Sequence, residues 1–124
     1  MNIYIAHSRD FDYQNELYAP LRASAVLPQN NLILPHETEH HTNNTREFYR
    51  SLDLVIAEVS YPATGLGIEL GWAADDNVPI YCLHQKDHKP SGSLYAVSDK
   101  FYEYETSEEL VEVVTSIISQ AGKI

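Results

Sequence analysis

Asp53-Leu54-Val55-Ile56-Ala57-Glu58-Val59-Ser60 runs directly into Tyr61-Pro62-Ala63-Thr64-Gly65-Leu66-Gly67-Ile68-Glu69-Leu70-Gly71-Trp72-Ala73. The first segment is an apolar run of strand length, as expected of a strand buried on both faces. The second reads as a two-glycine turn that opens a helix, with Glu69 about one turn inside it. A strand, a glycine turn and a helix start place backbone amides where a ligand can approach them closely.

The same alternation of strand and helix extends outward in both directions. Upstream, Ile3-Tyr4-Ile5-Ala6 is a short apolar strand closed by the polar loop His7-Ser8-Arg9-Asp10. Tyr13, Leu17, Tyr18, Leu21 and Val26 recur at helical spacing from Phe11 to about Ala25, with a bend expected at Pro20. Asn31-Leu32-Ile33-Leu34 predicts a second strand, followed by a polar segment from Pro35 to Asn44. Thr45 to Leu52 predicts a short helix that packs Phe48, Tyr49 and Leu52. Downstream, the helix is expected from Gly67 to about Asp76. Ile80 to His84 is a fourth strand, Gln85 to Ser93 a polar loop, and Phe101 to Glu105 an edge-like fifth strand. Thr106 with Glu109 makes a capping box for a last helix with the stripe Leu110, Val113, Val114, Ile117, Ile118 and Ala121. Residues 1–124 thus predict one α/β domain, a flavodoxin-like three-layer sandwich on a five-stranded parallel sheet of order 2-1-3-4-5. Ligands of such a sheet bind where the winding reverses, at the carboxyl ends of strands one and three.

Composition narrows the function classes. Eighteen acidic against eight basic residues give a formal net charge of −10. That argues against nucleic acid or an anionic membrane as partner, since both need clustered Lys and Arg. A small anionic ligand stays compatible, because backbone amides and a single Arg can hold a phosphate. No apolar run approaches the roughly 18–20 residues that span a bilayer. The opening Met1 to Ala6 carries no basic leader, and the single Cys82 sits in an apolar run. Both fit a cytoplasmic protein, with Cys82 as a small core residue.

The segment Asp53 to Ala73 resembles the nucleoside 2-deoxyribosyltransferase family, and within it the 2'-deoxynucleoside 5'-monophosphate N-glycosidases. The family pattern is a strand beginning with Asp, a Ser/Thr-Pro segment, and Gly-x-Gly-x-Glu-Leu-Gly. Here these are Asp53, Ser60-Tyr61-Pro62 and Gly65-Leu66-Gly67-Ile68-Glu69-Leu70-Gly71. Ile3 to Ala6 matches the family's first strand and Pro79 to Leu83 its fourth. The resemblance implies that Glu69 is the nucleophile at the anomeric carbon of a deoxyribose, giving a glycosyl-enzyme intermediate. It implies that Tyr4 is the active-site tyrosine that positions sugar and nucleophile. Ser8 and Arg9 lie where the family meets sugar or phosphate, as do the amides near Ala63, Thr64, Gly65 and Gly67. Ser93 corresponds to a loop serine often supplied across a subunit boundary, which implies a homodimer or larger homo-oligomer. No cofactor is implied, and the expected partner is a small nucleoside or nucleotide.

The chain departs from the family pattern at three places. The acid that serves the base or leaving group, eight residues before Asp53, is Thr45, whose hydroxyl is no proton donor of useful pKa. The serine after the proline is Ala63, with Thr64 beside it. A glycine after the first strand is His7. Another group would then serve the leaving base, with His7, Glu37 and Glu47 as candidates. Two further readings stand beside the first: a nucleotide-binding module or sensor without turnover, suggested by Thr45 and Ala63, and a TIR-like NAD glycohydrolase, suggested by Ile5-Ala6-His7-Ser8-Arg9-Asp10. His36, Glu37, Glu39, His40 and His41 have the composition of a metal site, but their spacing repeats no ligand pattern and no metal is expected.

Overall fold

A computed structural model describes residues 1–25, 29–35 and 46–122. Val26, the metal-like segment from His36 to His41, and Thr45 lie outside the described residues. Five parallel strands form the sheet: β1 (Asn2–His7), β2 (Asn31–Ile33), β3 (Leu54–Glu58), β4 (Ile80–Gln85) and β5 (Phe101–Tyr104). Their order is β2-β1-β3-β4-β5, the flavodoxin-like order expected from the sequence. The helices are α1 (Ala19–Ala23), α2 (Arg46–Arg50), α3 (Thr64–Asp75) and α4 (Ser107–Ala121), with a 3-10 turn at Gly92–Ala96.

All five residues of β3 are buried, which explains why its apolar run lacks a polar face. Alternation along the strands then sorts the interior into two cores. Ile3, Ile5, Leu54, Ile56, Tyr81 and Leu83 face α1 and α4, where Leu21, Leu110, Val114 and Ile117 close the layer. Tyr4, Ala6, Val55, Ala57, Ile80 and Cys82 face α2 and α3, meeting Tyr49, Leu66, Leu70 and Ala73. Cys82 is buried as expected, and burial pushes its thiol up to about 11. Thr106 caps α4 through a bond from the Glu109 amide to its hydroxyl at 3.1 Å. Among the described residues no helix is long and apolar enough to cross a membrane.

Two helices begin elsewhere than the sequence suggests. The helix expected from Phe11 starts only at Gln14, as a π-helical turn to Tyr18, before α1 takes over at Ala19. Pro20 has no N–H to return to the previous turn, and its ring crowds the carbonyl four residues back. The wider turn before it accommodates that ring. The helix expected from Gly67 starts three residues earlier, at Thr64, and its first bond runs from the Gly67 amide to the Ala63 carbonyl at 3.1 Å. Gly65 and Gly67 are therefore inside the first helical turn rather than in a turn preceding it. No described glycine has positive φ, so these two are not required by backbone conformation. A Cβ at either position would meet nothing within 4 Å, so these glycines leave the head of α3 bare.

Candidate active site

The sheet places Tyr4 on the α2–α3 face of β1, 3% exposed. Glu69 lies on α3, half-buried, five residues after its start. Tyr49 projects from α2 with none of its surface exposed. The Glu69 carboxylate is near enough to both phenols for its charge to act on them. Burial first, then the negative charge of Glu69, holds both phenols well above the ordinary tyrosine value. Both phenols are therefore protonated near neutral pH and can act as donors there. The rings around the carboxylate are fixed by edge-on packing: Tyr4 to Tyr49 at 5.5 Å, Tyr4 to Phe48 at 5.6 Å and Phe48 to Tyr49 at 5.2 Å.

A hollow of about 390 Å³ opens at the head of α3, with Ala63, Thr64, Leu66, Gly67, Ser91 and Ser93 in its lining. Glu69 is not in that lining; two residues after Gly67, it lies on nearly the opposite side of α3. Thr64 is exposed in the first turn, where unpaired amides and the helix dipole favour an anion. The 12-residue length of α3 makes that dipole substantial.

The structure brings together Tyr4 with Glu69, and Ala63, Thr64 and Gly67 with Ser93. Gly65 is exposed between these two groups. It does not bring His7 to them. Alternation along β1 turns His7 to the opposite face, where its ring meets Tyr13 at 4.7 Å and Tyr18 at 5.2 Å. His7 Nδ1 donates to the Ser8 carbonyl at 2.7 Å, and the Tyr18 hydroxyl donates to Nε2 at 2.6 Å. Both ring nitrogens are committed within the core. Ser8 is buried, and its Oγ accepts from the Asp10 amide at 3.0 Å, closing the loop on itself. Arg9 and Glu47 are exposed. Glu37 and Thr45 lie outside the described residues. Among the described residues no three His, Cys, Asp or Glu side chains gather as a metal site.

The sequence reading assigned Tyr49 to packing and so missed that the Glu69 charge reaches its phenol. The signal was present: a tyrosine, not a phenylalanine, at a fully buried helix position needs a polar partner for its hydroxyl. A second polar cluster was also overlooked, on the α4 face of the same sheet end. There Glu58, 1% exposed, accepts from the Ser60 amide at 2.7 Å, from the Ser60 hydroxyl at 2.9 Å and from the Tyr104 hydroxyl. The Ser60 hydroxyl in turn accepts from the Gln85 amide at 2.7 Å. This network ties the chain leaving β3 to β4 and β5, and so fixes the path into α3.

No family model matches the chain. A protein of Methanosarcina mazei, provisionally named 2'-deoxynucleoside 5'-phosphate N-hydrolase 1, is 35% identical over 69 residues. The match takes in 53% of this chain and 43% of that protein, so the chain spans less than half the length of this curated relative. The solved structure of a Clostridium botulinum CMP N-glycosidase superposes on 94% of this chain and 99% of its own, with TM-score 0.68 and 17% identity, and thus shares the fold. Both proteins are in the nucleoside 2-deoxyribosyltransferase family, and the resemblance read from Asp53 to Ala73 holds: in sequence over about half its length and in fold over nearly all of it, the chain is similar to that family, on the side of its N-glycosidases.

Proposed function

We propose that this chain cleaves the N-glycosidic bond of a nucleotide, with Glu69 as nucleophile. The observation that carries the reading is the half-buried Glu69 carboxylate, whose charge reaches the Tyr4 and Tyr49 phenols, on the helix whose first turn lines an open hollow. A Glu69 oxygen attacks the anomeric carbon as the bond to the base breaks, and the bonding electrons leave with the base nitrogen. That nitrogen takes a proton from water or arrives already protonated elsewhere on the ring. Water then cleaves the glycosyl ester, returning Glu69 and releasing the sugar. A deoxyribose suits this route because its oxocarbenium-like transition state lacks an electron-withdrawing 2-hydroxyl. Tyr4 orients the carboxylate, and the bare first turn of α3, with the Thr64 hydroxyl, receives the 5'-phosphate. The hollow's size lies within the several hundred Å³ common for small-ligand sites.

The test is incubation with deoxynucleosides and their 5'-monophosphates, following free base by chromatography. Wild type should release base, with monophosphates preferred, and Glu69→Ala should lose on the order of a thousandfold or more. Absence of release by wild type, or equal release by Glu69→Ala, removes the proposal.

A further inference from the structure

Tyr61 occupies the turn between β3 and α3 and is only half-buried, yet the loops leaving three strands meet on its ring. Its ring stacks on Phe11, in the loop after β1, with centroids 5.1 Å apart and planes 17° off parallel. His88, in the loop after β4, packs against the same ring at 4.8 Å. A tight turn holds His88 there: its amide donates to the Gln85 carbonyl at 3.1 Å, and Asp87 supplies a positive φ of 71°. The Tyr61 hydroxyl reaches Gln85 Oε1 only at 3.4 Å, beyond the range of a strong bond, so the ring makes the junction. Tyr61 is a member of neither core, and core packing alone does not call for an aromatic ring at this turn.

The hollow at the head of α3 draws its lining chiefly from two segments, one from Pro62 to Gly67 and one from Ser91 to Leu94. Tyr61 directly precedes the first, and His88 stands three residues before the second. Neither side chain lines the hollow, so their contact ties the two segments together from outside it. We propose that Tyr61 is a positioning residue for the phosphate end of the hollow: clasped between Phe11 and His88, it fixes the spacing between the first turn of α3 and the segment carrying Ser91 and Ser93. The role rests on the proposed reading in which this hollow receives a 5'-phosphate. Tyr61 touches no substrate and acts through the backbone from Pro62 to Thr64. Without the clasp the same groups are present but no longer held at one spacing. Affinity is then lost equally in the ground state and the transition state, and the chemical step is spared.

In the base-release assay with a deoxynucleoside 5'-monophosphate, Tyr61→Ala should raise KM about tenfold and leave kcat within about twofold. Inhibition by inorganic phosphate should weaken by the same factor. Tyr61→Phe, which keeps the stacked ring, should restore the wild-type KM. His88→Ala should raise KM in the same direction, and the double variant should be no worse than Tyr61→Ala alone, because both changes open one contact. If Tyr61→Ala fails to fold, His88→Ala against wild type supplies the comparison. An unchanged KM, a fall in kcat with KM unmoved, additive losses in the double variant, or a Tyr61→Phe as impaired as Tyr61→Ala overturns the proposal. If wild type binds the monophosphate without releasing base, the glycosidase reading fails by itself. Calorimetry then decides for Tyr61: binding about tenfold weaker in Tyr61→Ala supports the clasp, and equal binding overturns it. Absence of monophosphate binding by wild type removes both.

Discussion

Replacing Ser60 by alanine should cost this fold about 3 kcal/mol, although the change removes one oxygen. Ser60 is 4% exposed and sits immediately beyond β3, at the junction of three strands. Its hydroxyl gives a 2.9 Å bond to a Glu58 carboxylate oxygen and receives a 2.7 Å bond from the Gln85 amide. The bond to a charged group is worth about 1.5–3 kcal/mol, and the amide left without its acceptor adds about 1 kcal/mol at a half-buried position. The Ser60 amide and the Tyr104 hydroxyl still serve Glu58 in the variant, so the loss stops short of a fully stranded carboxylate. For a chain of 124 residues, about 3 kcal/mol lowers the melting temperature by roughly 10–15 °C. Urea unfolding near neutral pH, with Ser60→Thr as the control that keeps the hydroxyl, measures the cost. Repeating it near pH 3, where Glu58 is protonated, should shrink the difference to about 2 kcal/mol, because the bond to Glu58 is then neutral while the Gln85 amide still lacks its acceptor. A cost below about 1 kcal/mol at neutral pH would refute the reasoning, and so would a cost that does not depend on pH.

Burial, partly offset by the Tyr104 and Ser60 bonds, raises Glu58 above its ordinary value of 4.5. The folded chain therefore binds this proton more tightly than the unfolded one. The resulting stabilisation is complete below the ordinary value and is lost as pH rises through the folded one. Melting curves from pH 4 to 8 should show wild type losing stability relative to Glu58→Gln as pH increases; the opposite trend would show that the bonds outweigh burial. Ile68, 49% exposed, and Tyr95, 66% exposed, are large apolar side chains beside the Gly67 and Ser93 that line the hollow. If the homo-oligomer inferred from Ser93 uses this face, light scattering should give at least a dimer for wild type and a monomer for Ile68→Glu/Tyr95→Glu; a wild-type monomer would remove the idea.

The strands were legible because parallel, doubly covered strands must be apolar on both faces, and Ile3 to Ala6, Leu54 to Ala57 and Ile80 to Leu83 are. Alternation then decided which side chains share a face, and the winding rule decided the order. Local propensity misled at the head of α3. Glycine is a poor helix former, so Thr64-Gly65-Leu66-Gly67 resembles a turn until the burial of Leu66 and Leu70 against β1 and β3 is taken into account. Tertiary packing supplies what the glycines lack. His7 was placed near the ligand as the start of the loop after the first strand, whereas it is the last residue of β1, and a period of two sends its side chain to the other core. Tyr49 escaped notice because a helical apolar stripe does not distinguish a ring that only packs from one whose hydroxyl lies near a carboxylate.

The two carboxylates at this end of the sheet show why Glu69, and not Glu58, is assigned the chemistry. They are eleven positions apart, and both have tyrosine hydroxyls near them. Glu58 lies on β3 opposite His7 of β1, so its side chain points to the α4 face and ends 1% exposed. Both of its oxygens take donors from within the protein, one of them the amide of the next residue but one, and such a group cannot reach a sugar carbon without breaking the turn it holds. Glu69 lies on the flank of a helix whose buried line is Leu66, Leu70 and Ala73, which leaves its carboxylate half-buried. Its charge acts on Tyr4 of β1 and Tyr49 of α2, while the hollow at the helix head is lined by Ala63, Thr64, Leu66 and Gly67. A half-buried carboxylate on a helix flank is the one of the two that we propose as nucleophile. The bonds of Glu58 hold in place the strand ends from which that helix departs, so the first carboxylate serves the second by fixing where it stands.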